Sequence, residues 1–173
     1  DYGISVQQTS DGGYIITGFT NLDDSGYNKV LLIRTDADGN KVWNRTFGET
    51  DIGVGNFVQQ TIDGGYIITG FKFSVSDNTF DVWLIKTDPE GYKVWDRTYK
   101  RTDNDFGWSA QQTTDGGYII TGETWSFGTG KTDAWLIKTD ANGDEIWNRT
   151  FGGINYDVGR SIQQTSDGGY IIV

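Results

Sequence analysis

Short apolar segments alternate with polar, glycine-rich segments along the whole chain. The apolar segments are rich in Ile, Val, Trp and Tyr, and Gly, Asn and Asp bound them, which is typical of short β-strands. No apolar periodicity of 3.6 residues appears, so helices are not predicted. In the segment 105–156 the pattern predicts four strands, labelled A to D: Ser109 to Thr113, Tyr118 to Thr121, Ala134 to Thr139, and Glu145 to Phe151.

The connections between these strands differ in length. Thr114 to Gly117 predicts a tight turn between strands A and B, and Asp140 to Gly143 predicts another between C and D. Glycine tolerates the positive φ of such turns, and Asp or Asn side chains cap them. The B to C connection, residues 124–132, is longer. The segment is therefore predicted to be a four-stranded antiparallel unit with two hairpin turns.

This unit recurs every 52 residues without insertion or deletion. Gln7-Gln8-Thr9 returns at residues 59, 111 and 163, and Trp43 returns as Trp95 and Trp147. A fixed period of this size is the signature of a repeat architecture. The predicted divisions are 1–52, 53–104 and 105–156 for three complete copies, and 157–173 for strands A and B of a fourth, all in one domain.

One four-stranded unit cannot bury both of its faces, so neighbouring copies must stack and share a core. Radial stacking predicts an all-β fold of the β-propeller type, in which each copy is a blade. The alternative is an open β-solenoid, whose coils are usually shorter and lack two hairpins per repeat. Three blades and two strands form an incomplete ring. We therefore expect a longer parent protein, or self-association through the free end strands beside Asp1 and Val173.

Two resemblances follow from these residues. Thr139 to Trp147, with the counterparts that end at Trp43 and Trp95, resembles the tryptophan-docking motif of quinoprotein-like propellers, although the turn is one residue shorter. That resemblance implies a Trp wedged between blades and no cofactor. The whole unit, from Asp-Gly-Gly-Tyr-Ile-Ile to Trp-Asn-Arg-Thr-Phe-Gly-Gly, is similar to the tandem propeller repeats of archaeal and bacterial surface proteins. This second resemblance implies a secreted or cell-surface location.

Charge and composition narrow the function. The net charge is −10, and 14 Lys and Arg are scattered among 24 Asp and Glu, which argues against a nucleic-acid partner. The chain has no Cys and no His, so disulfides and thiol catalysis are excluded and the commonest general base and metal ligand are missing. No apolar run approaches the roughly 18 residues of a membrane span, so membrane insertion is not predicted.

The turns that begin at Asp36 and Asp140 have the carboxylate spacing that opens many calcium loops. The acidic ligand required at loop position twelve is replaced by Phe47 and Phe151, so structural hairpins are favoured and no metal or cofactor is expected. Most Asp residues occupy the same turn positions in every copy, whereas chemistry needs one asymmetric site. We therefore predict no catalytic residues and a non-catalytic scaffold for binding, adhesion or self-assembly. The alternative is a glycan-active enzyme or lyase.

Two glycosylation sequons, Asn44-Arg45-Thr46 and Asn148-Arg149-Thr150, lie at equivalent positions of strand D. In a secreted protein Asn44 and Asn148 are candidate attachment sites. The alternative is that these residues are ordinary polar positions of a half-exposed strand.

The B to C and D to A connections vary most among the copies and should reach the same end of the sheets. Their aromatic residues lie among Gly, Ser, Asn and Asp, a mixture suited to stacking on sugars or docking peptides. The predicted binding residues for a glycan or protein ligand are Tyr27, Phe73, Phe80, Trp108, Trp125 and Phe127. The alternative is that several of these aromatic residues pack between blades. Packing accounts least well for Trp125 and Phe127.

Overall fold

The computed structural model describes residues 1–21, 27–48, 52–126 and 131–173. These residues form short strands connected by turns and loops. In chain order the strands are β1 (Tyr2–Gln8), β2 (Tyr14–Thr20), β3 (Lys29–Thr35), β4 (Lys41–Phe47), β5 (Gly53–Gln60), β6 (Tyr66–Ser74), β7 (Thr79–Thr87), β8 (Lys93–Tyr99), β9 (Asp105–Gln112), β10 (Tyr118–Thr124), β11 (Asp133–Thr139), β12 (Glu145–Phe151), β13 (Ile162–Gln164) and β14 (Tyr170–Ile172).

The strands form three four-stranded antiparallel sheets and one two-stranded sheet, each with its strands in chain order. Sheets 1 to 4 consist of β1–β4, β5–β8, β9–β12 and β13–β14, and none of them closes on itself. The predicted all-β repeat organisation is confirmed. In the third copy strand D has the predicted bounds, whereas β9 begins four residues before the predicted strand A, at Asp105.

A bulge explains the earlier start of strand A. Ser109 pairs with Thr121 and Gly107 pairs with Gly122, which leaves Trp108 without a cross-strand partner. The same register shift occurs in sheets 1 and 2 at Ile4 and Asn56. A bulge adds one residue, bends the strand and redirects a side chain. The bulge therefore interrupts the alternation of apolar and polar residues that a sequence pattern relies on.

Because the strands are antiparallel and sequential, each sheet has two distinct ends. The A to B and C to D turns lie at one end, here called the turn end, and the B to C and D to A connections lie at the other, the loop end. In each described A to B turn the backbone closes in the same way, for example from Thr9 N to Gly13 O and from Gly12 N to Thr9 O, both 2.9 Å. Gly12 has a φ of 89°, and its three equivalents are also positive.

Consecutive sheets pack face to face through apolar cores. The core between sheets 1 and 2 includes Ile15, Leu32, Val58 and Ile68. The core between sheets 2 and 3 consists of the equivalent positions, with Ala110 in place of Val58 and Tyr99 in place of Phe47. Each strand D indole packs edge-on against the strand B tyrosine of the next sheet, with ring centroids 5.7–6.0 Å apart: Trp43 on Tyr66, Trp95 on Tyr118 and Trp147 on Tyr170. Aromatic pairs prefer this geometry.

The Gln-Gln pair of strand A holds consecutive sheets together at the turn end. The Gln7 side-chain oxygen accepts the backbone N–H of Gln60 (2.7 Å), and the Gln60 side-chain oxygen accepts the N–H of Ser10 (2.8 Å). This reciprocal pair of bonds, here called the glutamine clasp, recurs between sheets 2 and 3 and between sheets 3 and 4. The repeated Gln-Gln-Thr motif therefore fixes the spacing of successive A strands.

Candidate functional site

The repeated carboxylates of the turn end are engaged in structural contacts. Asp115 Oδ1 accepts the Thr113 hydroxyl (2.6 Å) and the Gly117 N–H (3.0 Å), and its carboxylate pairs with the buried Lys138 ammonium at 2.9 Å. The Thr113 hydroxyl, followed by the Lys138 ammonium, lowers the pKa of Asp115 to about 2. The same contacts recur at Asp63 with Lys86 and at Asp11 with Arg34. These acids hold the hairpin turn to strand C.

The C to D turns use their carboxylates in a similar way. Asp36 Oδ1 accepts the N–H groups of Asp38 (3.0 Å) and Asn40 (2.8 Å), and Asp140 Oδ1 accepts those of Asn142 and Asp144. The Asn40 side chain and backbone lower the pKa of Asp36. Within the described residues no group of three or more acidic side chains is placed to hold a metal ion. These bonds fit the hairpin interpretation of both turns.

The two sequon asparagines are in different environments. Asn148 Oδ1 accepts the Trp135 indole N–H at 3.2 Å, and its amide nitrogen donates to Glu145 at 2.6 Å. In sheet 2 Asp96 takes the same role for Trp83. Asn44 is exposed, and in its sheet the position of these tryptophans is a leucine, Leu31. The amide of Asn148 is therefore part of the sheet packing, while that of Asn44 faces solvent.

Two of the predicted binding residues lie inside an aromatic cluster at the loop end. Phe80 packs against Phe73 (5.2 Å between centroids), Phe71 (5.5 Å) and Phe106 (5.6 Å). Phe106 belongs to strand A of sheet 3, whereas the other three belong to sheet 2. The cluster joins the two sheets, so Phe73 and Phe80 contribute to packing between copies.

Trp108, a third predicted binding residue, is the bulged residue of β9. Its indole N–H donates to Glu123 at 3.2 Å, its ring stacks on Phe106, and the Arg160 guanidinium lies 4.2 Å above the ring. The bulged residue is Ile4, Asn56 and Trp108 in the first three copies, and the equivalent residue of the fourth copy is Arg160. The residues on either side vary much less. The sequence singled out Trp108 among the variable aromatic residues but did not indicate that it is the bulged residue of its strand.

Trp125 is a predicted binding residue whose side chain is accessible, since 46% of its surface is exposed. Its backbone is fixed: Trp125 N donates to Asn104 O (3.0 Å), and Ser126 N donates to the Thr124 hydroxyl (3.1 Å). The Ser126 hydroxyl in turn accepts the Asp103 N–H at 2.8 Å. Tyr27, which is 50% exposed, lies in the connection before strand β3 of sheet 1, and Phe127 lies outside the described residues.

Buried carboxylates form a feature of the loop end that the sequence did not suggest. Asp81, Asp105 and Asp133 are each at most 2% exposed. Asp105 and Asp133 both pair with Thr124 in neighbouring strands, so they flank one residue of the same sheet. Burial raises the pKa of Asp105 to about 6. Acidic residues recur at 81 and 133 and at 105 and 157, a signal that could have identified the set.

A groove of about 410 Å³ lies between sheets 1 and 2 near strand D. Its lining combines aromatic rings and cations: the Lys72 ammonium is 5.4 Å from the centre of the Trp83 ring, and Arg45 lies 4.4 Å above the Tyr92 ring. No sequence pattern associates these residues, which are distant along the chain. The groove is open, and its cations and rings already contact one another.

Comparison with known proteins gives a fold but no family. No family model matches the chain. Regulatory protein FlaEY of Caulobacter vibrioides is 26% identical over 155 residues, a match that covers 76% of this chain and 16% of FlaEY. The crystal structure of a protein of unknown function from Bacteroides caccae matches with a TM-score of 0.59 and 11% identity, covering 98% of this chain and 52% of that one. At this identity the likeness concerns the fold alone.

The described residues contain no helix long and apolar enough to cross a membrane.

Proposed function

We propose that this chain is a non-catalytic scaffold of the β-propeller type that binds a glycan through its loop end in an extracellular or cell-surface setting. The observation that carries the proposal is Trp125, an exposed indole on a backbone fixed by hydrogen bonds. A large apolar surface held in place loses little conformational entropy on binding. The nearby Ser126, Asn104 and Asp103 offer the hydrogen-bonding groups that a sugar needs.

The packing of the sheets supports a propeller arrangement. Each glutamine clasp links the A strands of consecutive sheets, and Gly55, Gly107 and Gly159 bring strand A close to the sheet before it. A Cβ on any of these glycines would collide with a strand B threonine hydroxyl of the preceding sheet, for example Thr69 with Gly107. Close A strands, face-to-face sheets and twist-increasing bulges are what radial stacking requires.

The alternative, a glycan-active enzyme or lyase, requires a carboxylate of raised pKa that a substrate can reach. Asp105 has such a pKa, raised by burial to about 6, but the residue is fully buried. The turn-end acids bond to their own hairpins in each copy. These observations favour binding over catalysis.

Glycosylation and self-association belong to the same proposal. Asn44 is the favoured attachment site, because modification of Asn148 would break its bonds to Trp135 and Glu145. Self-association is proposed through the outer face of sheet 1, where Tyr2 and Val6 are more than 60% exposed while their equivalents in sheet 2, Val54 and Val58, are buried. A monomeric mass by light scattering at high protein concentration would contradict the self-association.

A glycan array with purified protein tests the ligand proposal. Trp125→Ala is expected to lose most of the signal of any glycan that the original chain binds, and to unfold at the same temperature. Tyr92→Ala is the matched control, because Tyr92 is an exposed aromatic residue at the turn end. A glycan signal equal in Trp125→Ala and in the original chain would contradict the proposal. Release of a shortened or unsaturated sugar, followed by mass spectrometry, would favour the enzyme.

A further inference from the structure

The corners at which one sheet passes to the next differ in charge. Each corner contains the first residues of strand C, the D to A connection and the first residue of the next strand A. Three positions of each corner recur 52 residues later in the next corner. They are Lys29, Gly48 and Gly53 between sheets 1 and 2, and Asp81, Lys100 and Asp105 between sheets 2 and 3. Between sheets 3 and 4 they are Asp133, Gly152 and Asp157. The last two corners have both carboxylates, but only one of them has the lysine.

At the corner between sheets 2 and 3, the Lys100 side chain supplies positive charge next to the carboxylates. Asp81 is buried, and burial raises its pKa while the positive charge of Lys100 opposes that rise. The Lys100 ammonium donates to Asp77 at 2.6 Å and also interacts electrostatically with Asp81. Asp105 accepts the Arg101 N–H at 2.9 Å. This corner therefore balances part of its negative charge with the side chain of Lys100.

Between sheets 3 and 4 the equivalent carboxylates converge without a lysine. Asp133 is 2% exposed, and its Oδ2 is buried without a hydrogen-bond partner among the described residues. A Cβ on Gly152 would collide with Asp133 Oδ1 and lie 3.0 Å from Asp157 Oδ2, so the two carboxylate oxygens lie close together beside Gly152. Asp157 Oδ2 also accepts the Gly153 N–H at 2.8 Å.

The cations nearest to this corner in the sequence interact elsewhere. The Lys131 ammonium lies 4.8 Å from the centre of the Tyr156 ring, and Arg160 lies over Trp108. The Thr132 hydroxyl, next to Asp133 in the chain, is a further buried oxygen without a partner in the described part of the structure. An isolated buried carboxylate is costly unless a positive charge or hydrogen bonds compensate it.

We propose that a calcium ion binds between Asp133 and Asp157, in the corner that lacks an equivalent of Lys100. The donors are oxygen atoms only, which is the set that hard cations prefer. Two carboxylates are fewer than a high-affinity calcium loop provides, so water and backbone oxygens complete the coordination. The dissociation constant is expected at roughly 10⁻⁴–10⁻³ M, the range of extracellular modules. The ion would link strand β11 to the next copy.

Thermal unfolding of the full chain with 10 mM CaCl₂ or with EDTA tests the site, together with luminescence of bound Tb³⁺. Calcium is expected to raise the unfolding temperature of the original chain by about 3–10 °C. Asp133→Asn should lose this response and, in EDTA, unfold at a higher temperature than the original chain, because it no longer buries an uncompensated charge. A residue with a purely packing role would not reverse sign between the two conditions.

Two more variants keep the test decisive. Asp157→Asn should weaken Tb³⁺ binding at least tenfold even if Asp133→Asn does not fold. Asp38→Asn, at an exposed turn of sheet 1, is the matched control and should respond like the original chain. No calcium shift in the original chain, or shifts in Asp133→Asn and Asp157→Asn as large as in the original chain, would overturn the proposal. Glycan binding through Trp125 is a separate readout.

Discussion

The turn end and the loop end are built from the same strands, but the copies agree at one end and differ at the other. At the turn end Asp11, Asp63 and Asp115 make the same contacts with a threonine, a glycine and a strand C cation. At the loop end, Phe71, Phe80 and Phe106 pack together between sheets 2 and 3. The equivalent residues between sheets 3 and 4 are Glu123, Thr132 and Val158.

The difference follows from what each end has to do. Every copy must clasp the next one through its Gln-Gln pair, so a change at the turn end would disturb a joint that all copies share. The bonds that recur at the loop end join backbone atoms, for example Phe73 N–H to Ile52 O and Trp125 N–H to Asn104 O, so they do not require a particular side chain. The exposed tips of this end therefore tolerate substitution. Residues that are the same in every copy therefore have a structural role in this protein. A ligand or ion site can arise at the residues that vary between copies.

The largest effect is expected for a turn-end acid. Asp115→Ala leaves the buried Lys138 ammonium with only the Thr139 carbonyl oxygen, and it should lower the free energy of unfolding by about 2 kcal/mol. Urea unfolding at pH 7 measures this change. Because the folded pKa of Asp115 is about 2, below its usual value of 3.8, the stabilisation is present above pH 4 and is lost as the pH falls towards 2.

Asp38→Ala is the matched control for that measurement, since Asp38 is an exposed turn acid without such a lysine. A loss in Asp38→Ala as large as in Asp115→Ala would remove the distinction between paired and unpaired turn acids.

A smaller effect of opposite sign is expected at the loop end. The folded pKa of Asp105, about 6, is above its usual 3.8, so this group stabilises the protein fully below pH 4 and loses that contribution as the pH rises through 6. The groups around it are Arg101, Thr124 and Asp81. Asp105→Asn should therefore increase the free energy of unfolding by about 1.5 kcal/mol at pH 8 and change it little at pH 4.

Differential scanning calorimetry of the two proteins at pH 4, 6 and 8 measures this dependence. If Asp105→Asn were less stable than the original chain at pH 8, the buried carboxylate would be a stabilising hydrogen-bond acceptor and not a cost.

The smallest effect tests one bond of the glutamine clasp. Gln60→Ala removes the acceptor of the Ser10 N–H, while Gln8→Ala removes the equivalent side chain in the first copy, which has no sheet before it in the structure. Both glutamines also bond to their own turn, at Gly64 and Gly12. Gln60→Ala should be less stable than Gln8→Ala by about 0.5–1 kcal/mol, because Ser10 is exposed and its N–H can bond to water. Equal stabilities in urea would show that this bond adds nothing.

Much of the fold could be predicted from the sequence because its information is local. Hydrophobic alternation, Asp-Gly-Gly turns and the 52-residue period place the strands and their order, and strand D of the third copy has the predicted bounds. The beginning of strand A was missed because the Trp108 bulge breaks the alternation. The predicted binding residues lie in different environments in the structure. Phe73 and Phe80 pack between sheets, while Trp125 is exposed.

The sequence by itself determined the repeat, the all-β class and the roles of the turn residues, since each of these depends on neighbours along the chain. Only the tertiary structure decided which equivalent residues are alike in environment. Asn44 and Asn148 share a motif, yet only Asn148 bonds to a tryptophan across the sheet. Asp81 and Asp133 share a position, yet only Asp81 has Lys100 beside it. Such differences arise from partners elsewhere in the chain, Trp135 for Asn148 and Lys100 for Asp81, which a repeated motif does not encode.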